Sequence, residues 1–80
     1  SKNISKEYLA KTDKDITDDH LKALASGGLV EGVWVKPISV TKVRNGTLKM
    51  AVSEGKKREV RCLLEYVGLK VLELKRIRIG

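Results

Sequence analysis

Val60, Leu63, Leu64 and Val67 recur at i, i+3, i+4 and i+7, the buried stripe of an amphipathic helix over about 56–67. Gly68 ends the helix, and Leu69 is the apolar residue that commonly follows a left-handed C-terminal glycine. A helix with one apolar stripe must bury it against another layer, and the rest of the chain supplies mostly strand-like segments.

The stretch 4–12 reads as a first strand with Tyr8 inside it. Thr17 is an N-cap candidate, and Asp18 and Asp19 suit the positive end of the helix that follows. Leu21, Leu24 and Ala25 form its apolar stripe, and Gly27-Gly28 ends it. The run 33–43 is β-rich but carries Pro37, and its alternation changes phase from Val33/Val35 to Ile38/Val40. That change predicts a bulge or an edge position.

Asn45-Gly46 signals a hairpin. A two-residue turn would pair Val43 with Leu48. A three-residue loop over Arg44-Asn45-Gly46, with Gly46 left-handed, sets Val40 opposite Met50 and Ile38 opposite Val52. The second register collects the apolar side chains on one face and is the one predicted. Residues 48–53 form the returning strand and 70–79 the last. Its pattern slips from Leu72/Leu74 to Ile77/Ile79, which predicts a bulge near Lys75-Arg76. Segments 11–16 and 27–32 read as loops. The order β-α-β-β-α-β predicts one α+β domain over 1–80: a ferredoxin-like, four-stranded antiparallel sheet with two helices on one face.

The formal net charge is +7, which favours a polyanionic partner. Lys56, Lys57 and Arg58 stand where the second helix begins, although cations there oppose the macrodipole by roughly 0.3–1 kcal/mol each. Two readings stand for this segment: a helix start built to meet phosphate, or a solvated basic turn. One cysteine, Cys62, permits no internal disulfide and fits a reducing, cytoplasmic setting. One Cys and one His give no plausible metal cluster. No apolar run approaches a membrane span, and no signal peptide is visible. Ser1 and Gly80 as ends suggest a piece of a longer protein.

Glu54-Gly55-Lys56-Lys57-Arg58-Glu59-Val60-Arg61, then Leu64-Glu65-Tyr66-Val67-Gly68 and Leu74-Lys75-Arg76-Ile77-Arg78-Ile79-Gly80, closely resemble the RsuA-type ribosomal RNA pseudouridine synthases, with Glu59 nearest the large-subunit branch. Ser5-Lys6-Glu7-Tyr8 resembles that family's K-x-Y motif, and Val33-Trp34-Val35-Lys36-Pro37 its V-x-V-K-P strand. The resemblance covers nearly the whole chain in order and spacing. It implies an isomerase that detaches uridine at its glycosidic carbon, turns the base and rejoins it through C5, without cofactor.

The family's catalytic Asp lies in a G-R-L-D motif upstream of K-x-Y, and these 80 residues hold no such segment. Asp13, Asp15, Asp18 and Asp19 read instead as capping and solvated charges. The resemblance therefore implies the C-terminal part of a catalytic domain, inactive alone. Its partners would be ribosomal RNA and the remainder of that domain.

Tyr8 matches the family's active-site Tyr, which stacks on the target base; by itself it also suits a cross-strand core position. Arg61 matches the basic residue expected to pair with the catalytic carboxylate; by itself it reads as a surface helix Arg. Val60 is either an apolar neighbour of the base or a plain core residue. Lys56, Lys57, Arg58, Arg76 and Arg78 read as phosphate contacts. Cys62 stands where the family usually carries a second cation. Trp34 reads as a packed or edge aromatic rather than a stacking platform, and His20 as exposed. The competing function is a non-catalytic RNA-binding module of the same fold. An RRM is disfavoured, since the chain has no Phe.

Overall fold

The computed structural model describes residues 5–53 and 57–79, with side chains described up to Ile77 in the last strand. Its elements are β1 (Lys6–Thr12), α1 (Asp18–Ser26), β2 (Gly28–Val30), β3 (Val33–Val35), β4 (Ser39–Arg44), β5 (Thr47–Val52), α2 (Lys57–Tyr66) and β6 (Val71–Ile79). The main sheet runs β4-β5-β1-β6 with every neighbouring pair antiparallel. This is the expected ferredoxin-like arrangement. Each helix leads from one strand to a second strand two places away, across the strand between.

Period-two alternation turns Tyr8, Ala10 and Thr12 of β1 toward the helices, level with Met50 and Leu48 of β5 and with Leu74 and Val71 of β6. Leu24 of α1 and Val60, Leu63 and Leu64 of α2 close one continuous core over them. Both helices therefore cover the same face.

Local chemistry sets the helix ends. The Thr17 hydroxyl accepts from the His20 amide at 3.2 Å, while the Thr17 amide donates to His20 Nδ1 at 3.1 Å, a reciprocal capping box. His20 is thus half-buried and engaged in the cap. At the end of α2 the Leu69 amide donates to the Leu64 carbonyl and the Gly68 amide to that of Glu65, with Gly68 at φ 96°. That is a Schellman closure, and Leu69 is fully buried behind it.

The β4–β5 hairpin has the predicted register, Val40 opposite Met50, with Gly46 left-handed at φ 70°. It arrives there differently, through a two-residue Asn45-Gly46 turn and a bulge that leaves Val43 unpaired between Lys42 and Arg44. Asp15 pins this turn. Its Oδ1 accepts from the Ile16 amide (2.8 Å) and the Gly46 amide (3.3 Å), and its Oδ2 from Lys42 Nζ (3.1 Å). Asp13 ties the end of β1 to the start of β6, its Oδ1 accepting from the Lys70 amide at 3.1 Å.

Four expectations need correction. Segment 27–32 is not a loop: β2 and β3 form a separate two-stranded ribbon whose Glu31-Gly32 turn has both residues at positive φ, 52° and 82°. Ala25 is exposed, because only Leu24 of this nine-residue helix faces the core squarely. Ile38 is 61% exposed, since edge strand β4 lies at the margin of the helical layer and only Val40 there is half-buried. The bulge expected near Lys75-Arg76 is present, with Ile77 the extra residue against β1, but a second register shift leaves Leu72 extra as well, where an inward side chain was expected. The shift at Leu72 turns that side chain to solvent and puts Val71 in the core instead.

Candidate nucleic-acid interface

On β1 and β6 the apolar ladder of the inner sheet face ends at Tyr8 and Leu74, while Val52 continues it on β5. Beyond Tyr8, toward the start of β1 and the end of β6, the same face carries cations. Lys6 lies two residues before Tyr8 on β1, and Arg76 is the direct cross-strand partner of Tyr8. The first residue of α2, Lys57, reaches the same place from above. Lys6, Tyr8, Lys57 and Arg76 line a cleft of about 360 Å³. Three positive side chains and the N-terminal end of a helix converge on it, a site suited to phosphate.

Tyr8 is only 2% exposed, so it forms a wall of the cleft and presents little of its ring. Its body sits among core residues. The long stems of Lys6 and Arg76 can shift across it, since such side chains keep their charged ends wet while the methylenes pack.

The other expected site residues fall elsewhere. Arg61, one turn after Lys57 on α2, is half-buried, and its Nη1 donates to the Val71 carbonyl at 3.4 Å. That contact is at the start of β6, whereas the cleft lies toward its far end at Arg76, so the guanidinium leans away from the cleft and does not line it. Val60 is fully buried in the core cluster and lines no part of the cleft. Arg58 turns away to the β2–β3 ribbon, where its Nη2 meets Glu31 Oε2 at 2.6 Å. Lys56 lies outside the described residues, as does the side chain of Arg78, whose backbone pairs with Glu7.

Lys6 went unremarked as a lining residue, although the i, i+2 spacing of K-x-Y places it on the Tyr8 face. Of the two expectations for Trp34, packed or edge, the second holds: it lies on the two-stranded ribbon, where both strands are edges, and is 61% exposed. Among the described residues no group of His, Cys, Asp and Glu could hold a metal ion. No helix among them is long and apolar enough to cross a membrane.

A chloroplast protein of Arabidopsis thaliana, named as a ribosomal large-subunit pseudouridine synthase, SVR1, is 40% identical over all of this chain and 21% of its own length. The dual-specificity RNA pseudouridine synthase RluF of Salmonella typhi is 34% identical over 92% of this chain and 26% of its own. Its homologues are pseudouridine synthases. Ribosomal large subunit pseudouridine synthase B of Vibrio cholerae adds a match of 32% identity, covering all of this chain and 26% of that pseudouridine synthase. A solved pseudouridylate synthase shares the fold with a TM-score of 0.85 and 26% identity, over 98% of this chain and 35% of its own. No protein-family profile matches the chain. The motif resemblance to pseudouridine synthases thus extends to the fold. The chain spans about a fifth to a quarter of the length of the curated relatives it matches.

Proposed function

We propose that this chain is the C-terminal part of the catalytic domain of a ribosomal RNA pseudouridine synthase, and that the cleft around Tyr8 receives RNA at the reacting nucleotide. The observation that carries the reading is the convergence of Lys6, Lys57 and Arg76 on Tyr8, in a chain whose relatives bear the names of pseudouridine synthases. An extruded nucleotide needs an aromatic or apolar wall for its base and cations for its flanking phosphates. The cleft combines both.

In this reading Lys57 and Arg76 hold phosphate. The base reaches the ring of Tyr8 when Lys6 and Arg76 shift aside. Uridine is isomerised without net change in composition: its glycosidic C–N bond breaks, the base turns, and a C–C bond forms at C5 as the C5 proton leaves. The carboxylate that starts this sequence comes from residues outside these 80. Arg61, with donors to spare beyond the one given to Val71, orients that carboxylate and keeps it ionised. Lys56 and Arg78 extend the phosphate-binding surface.

Uridine isomerisation in ribosomal RNA, assayed with the complete protein and with the 80-residue chain, tests this reading. The complete protein is expected to convert uridine to pseudouridine, and the chain alone to bind RNA without converting it. Conversion by the chain alone would overturn the assignment of the nucleophile. No conversion by the complete protein would overturn the assignment of activity.

A further inference from the structure

The β2–β3 ribbon lies against α2, and Glu31 in its turn is bonded to Arg58 in the first turn of α2. The ribbon therefore runs alongside α2, with its turn at Arg58 and Gly28 beside Leu63 and Tyr66. Its inner positions Gly28, Val30 and Val35 are buried. Gly28 packs closely there: a Cβ would lie 3.0 Å from Leu63 Cδ1 and 3.6 Å from the Tyr66 ring.

The outward face of the ribbon is built differently. Leu29 and Trp34 are direct cross-strand partners, exposed by 63% and 61%. Lys36 follows Trp34 by two residues and precedes Pro37, which holds it extended, so alternation keeps it on the Trp34 side.

We infer that Trp34, backed by Leu29 and flanked by Lys36, is a stacking ledge for an unpaired base of the RNA strand whose reacting nucleotide enters the cleft. The occupant is single-stranded RNA, and the inference rests on the RNA reading of the cleft. Charge favours it: Lys36 flanks the ledge, Lys57 stands at the start of the helix on which the ribbon packs, and the chain carries +7 overall. Size favours it too. Two apolar side chains match the face of one base and fall far short of the ~800 Å² that a stable protein partner covers on each side. An aromatic ledge of this kind accepts any base, because every base has a π-face.

Trp34 is the only tryptophan in the chain, so its emission reports on the ledge directly. The test titrates the protein with a single-stranded oligoribonucleotide and, separately, with heparin, while anisotropy of a labelled RNA measures binding independently. RNA is expected to quench Trp34 emission where heparin does not. Trp34→Ala should weaken RNA binding by about 5- to 100-fold, the loss of one base–aromatic stack, and Trp34→Phe should restore most of it.

RNA binding with unchanged emission and an unaffected Trp34→Ala variant would overturn the ledge and leave the cleft reading standing. Absence of RNA binding would overturn both. Self-association without RNA that Trp34→Ala abolishes, with RNA affinity unchanged, would show that a second copy covers this face and would also overturn the proposal.

Discussion

Arg76 lies directly across from Tyr8 in the β1–β6 ladder, on the face that turns toward the helices. One step further in, the same ladder pairs Ala10 with Leu74, both buried. The sheet thus changes from core to cationic cleft within one cross-strand step. Removing Arg76 should therefore alter binding and leave the core intact.

Arg76→Ala in the 80-residue chain should lower RNA affinity about equally across sequences. The three cleft cations predict a log–log salt slope of roughly −2 on single-stranded RNA, and the variant should lose about 0.7 of it. Its urea midpoint should stay close to that of the parent chain, since an exposed charge contributes little to stability. An unchanged slope would mean that Arg76 faces no phosphate.

Arg61→Ala in the complete enzyme should reduce kcat by orders of magnitude. The lost hydrogen bond to Val71 should cost only about 0.5–1.5 kcal/mol of stability. Arg58→Ala removes an exposed ion pair with Glu31, worth at most about 1 kcal/mol, and should leave kcat near normal. Steady-state kinetics beside circular-dichroism melts separates the two. Near-normal kcat in Arg61→Ala would return Arg61 to a purely structural role.

Which of these roles could be read from residue order alone depends on how local their causes are. The α2 stripe, the Thr17 cap and the Gly68-Leu69 closure rest on interactions within a few residues, and all three were legible. The place of Tyr8 in the strand was legible too, as a cross-strand core position. The ribbon was not, because three-residue strands are too short to show alternation, and Glu31 at positive φ hides a turn that an Asn would have announced. The direction of Arg58 was also illegible. It is set by Glu31, 27 residues away in the chain, which no local pattern reveals.

Gly27→Ala should destabilise the fold by about 2 kcal/mol or more. Gly27 sits at φ 81°, and a Cβ there would lie 2.6 Å from the Val35 carbonyl oxygen, backbone that cannot swing aside. Thermal unfolding measures the loss. A melting temperature equal to that of the parent would show that the α1 end and β3 do not meet as described.

Stability should fall on the acid side in a manner traceable to Asp15. The hydrogen bond from Lys42, then those from the Ile16 and Gly46 amides, hold its carboxyl below the ordinary carboxylate value. A group whose folded pKa is depressed adds stability that is fully present above its unfolded pKa, near 4. That stability is lost as pH falls through the lower folded value. Asp15→Asn should be less stable than the parent at pH 7, and the difference should shrink as pH falls below about 4. A difference independent of pH would assign Asp15 a role without charge.

Magnetic-resonance mapping of the labelled 80-residue chain with single-stranded RNA tests the central claim most directly, because it locates the contact without presuming activity. The cleft reading predicts that perturbations cluster on the ring of Tyr8 and at Lys6, Lys57 and Arg76. The outer sheet face, at Lys11, Lys49 and Glu73, should stay unmoved. Perturbations gathered on that outer face, with Tyr8 and Lys57 unchanged, would contradict the account.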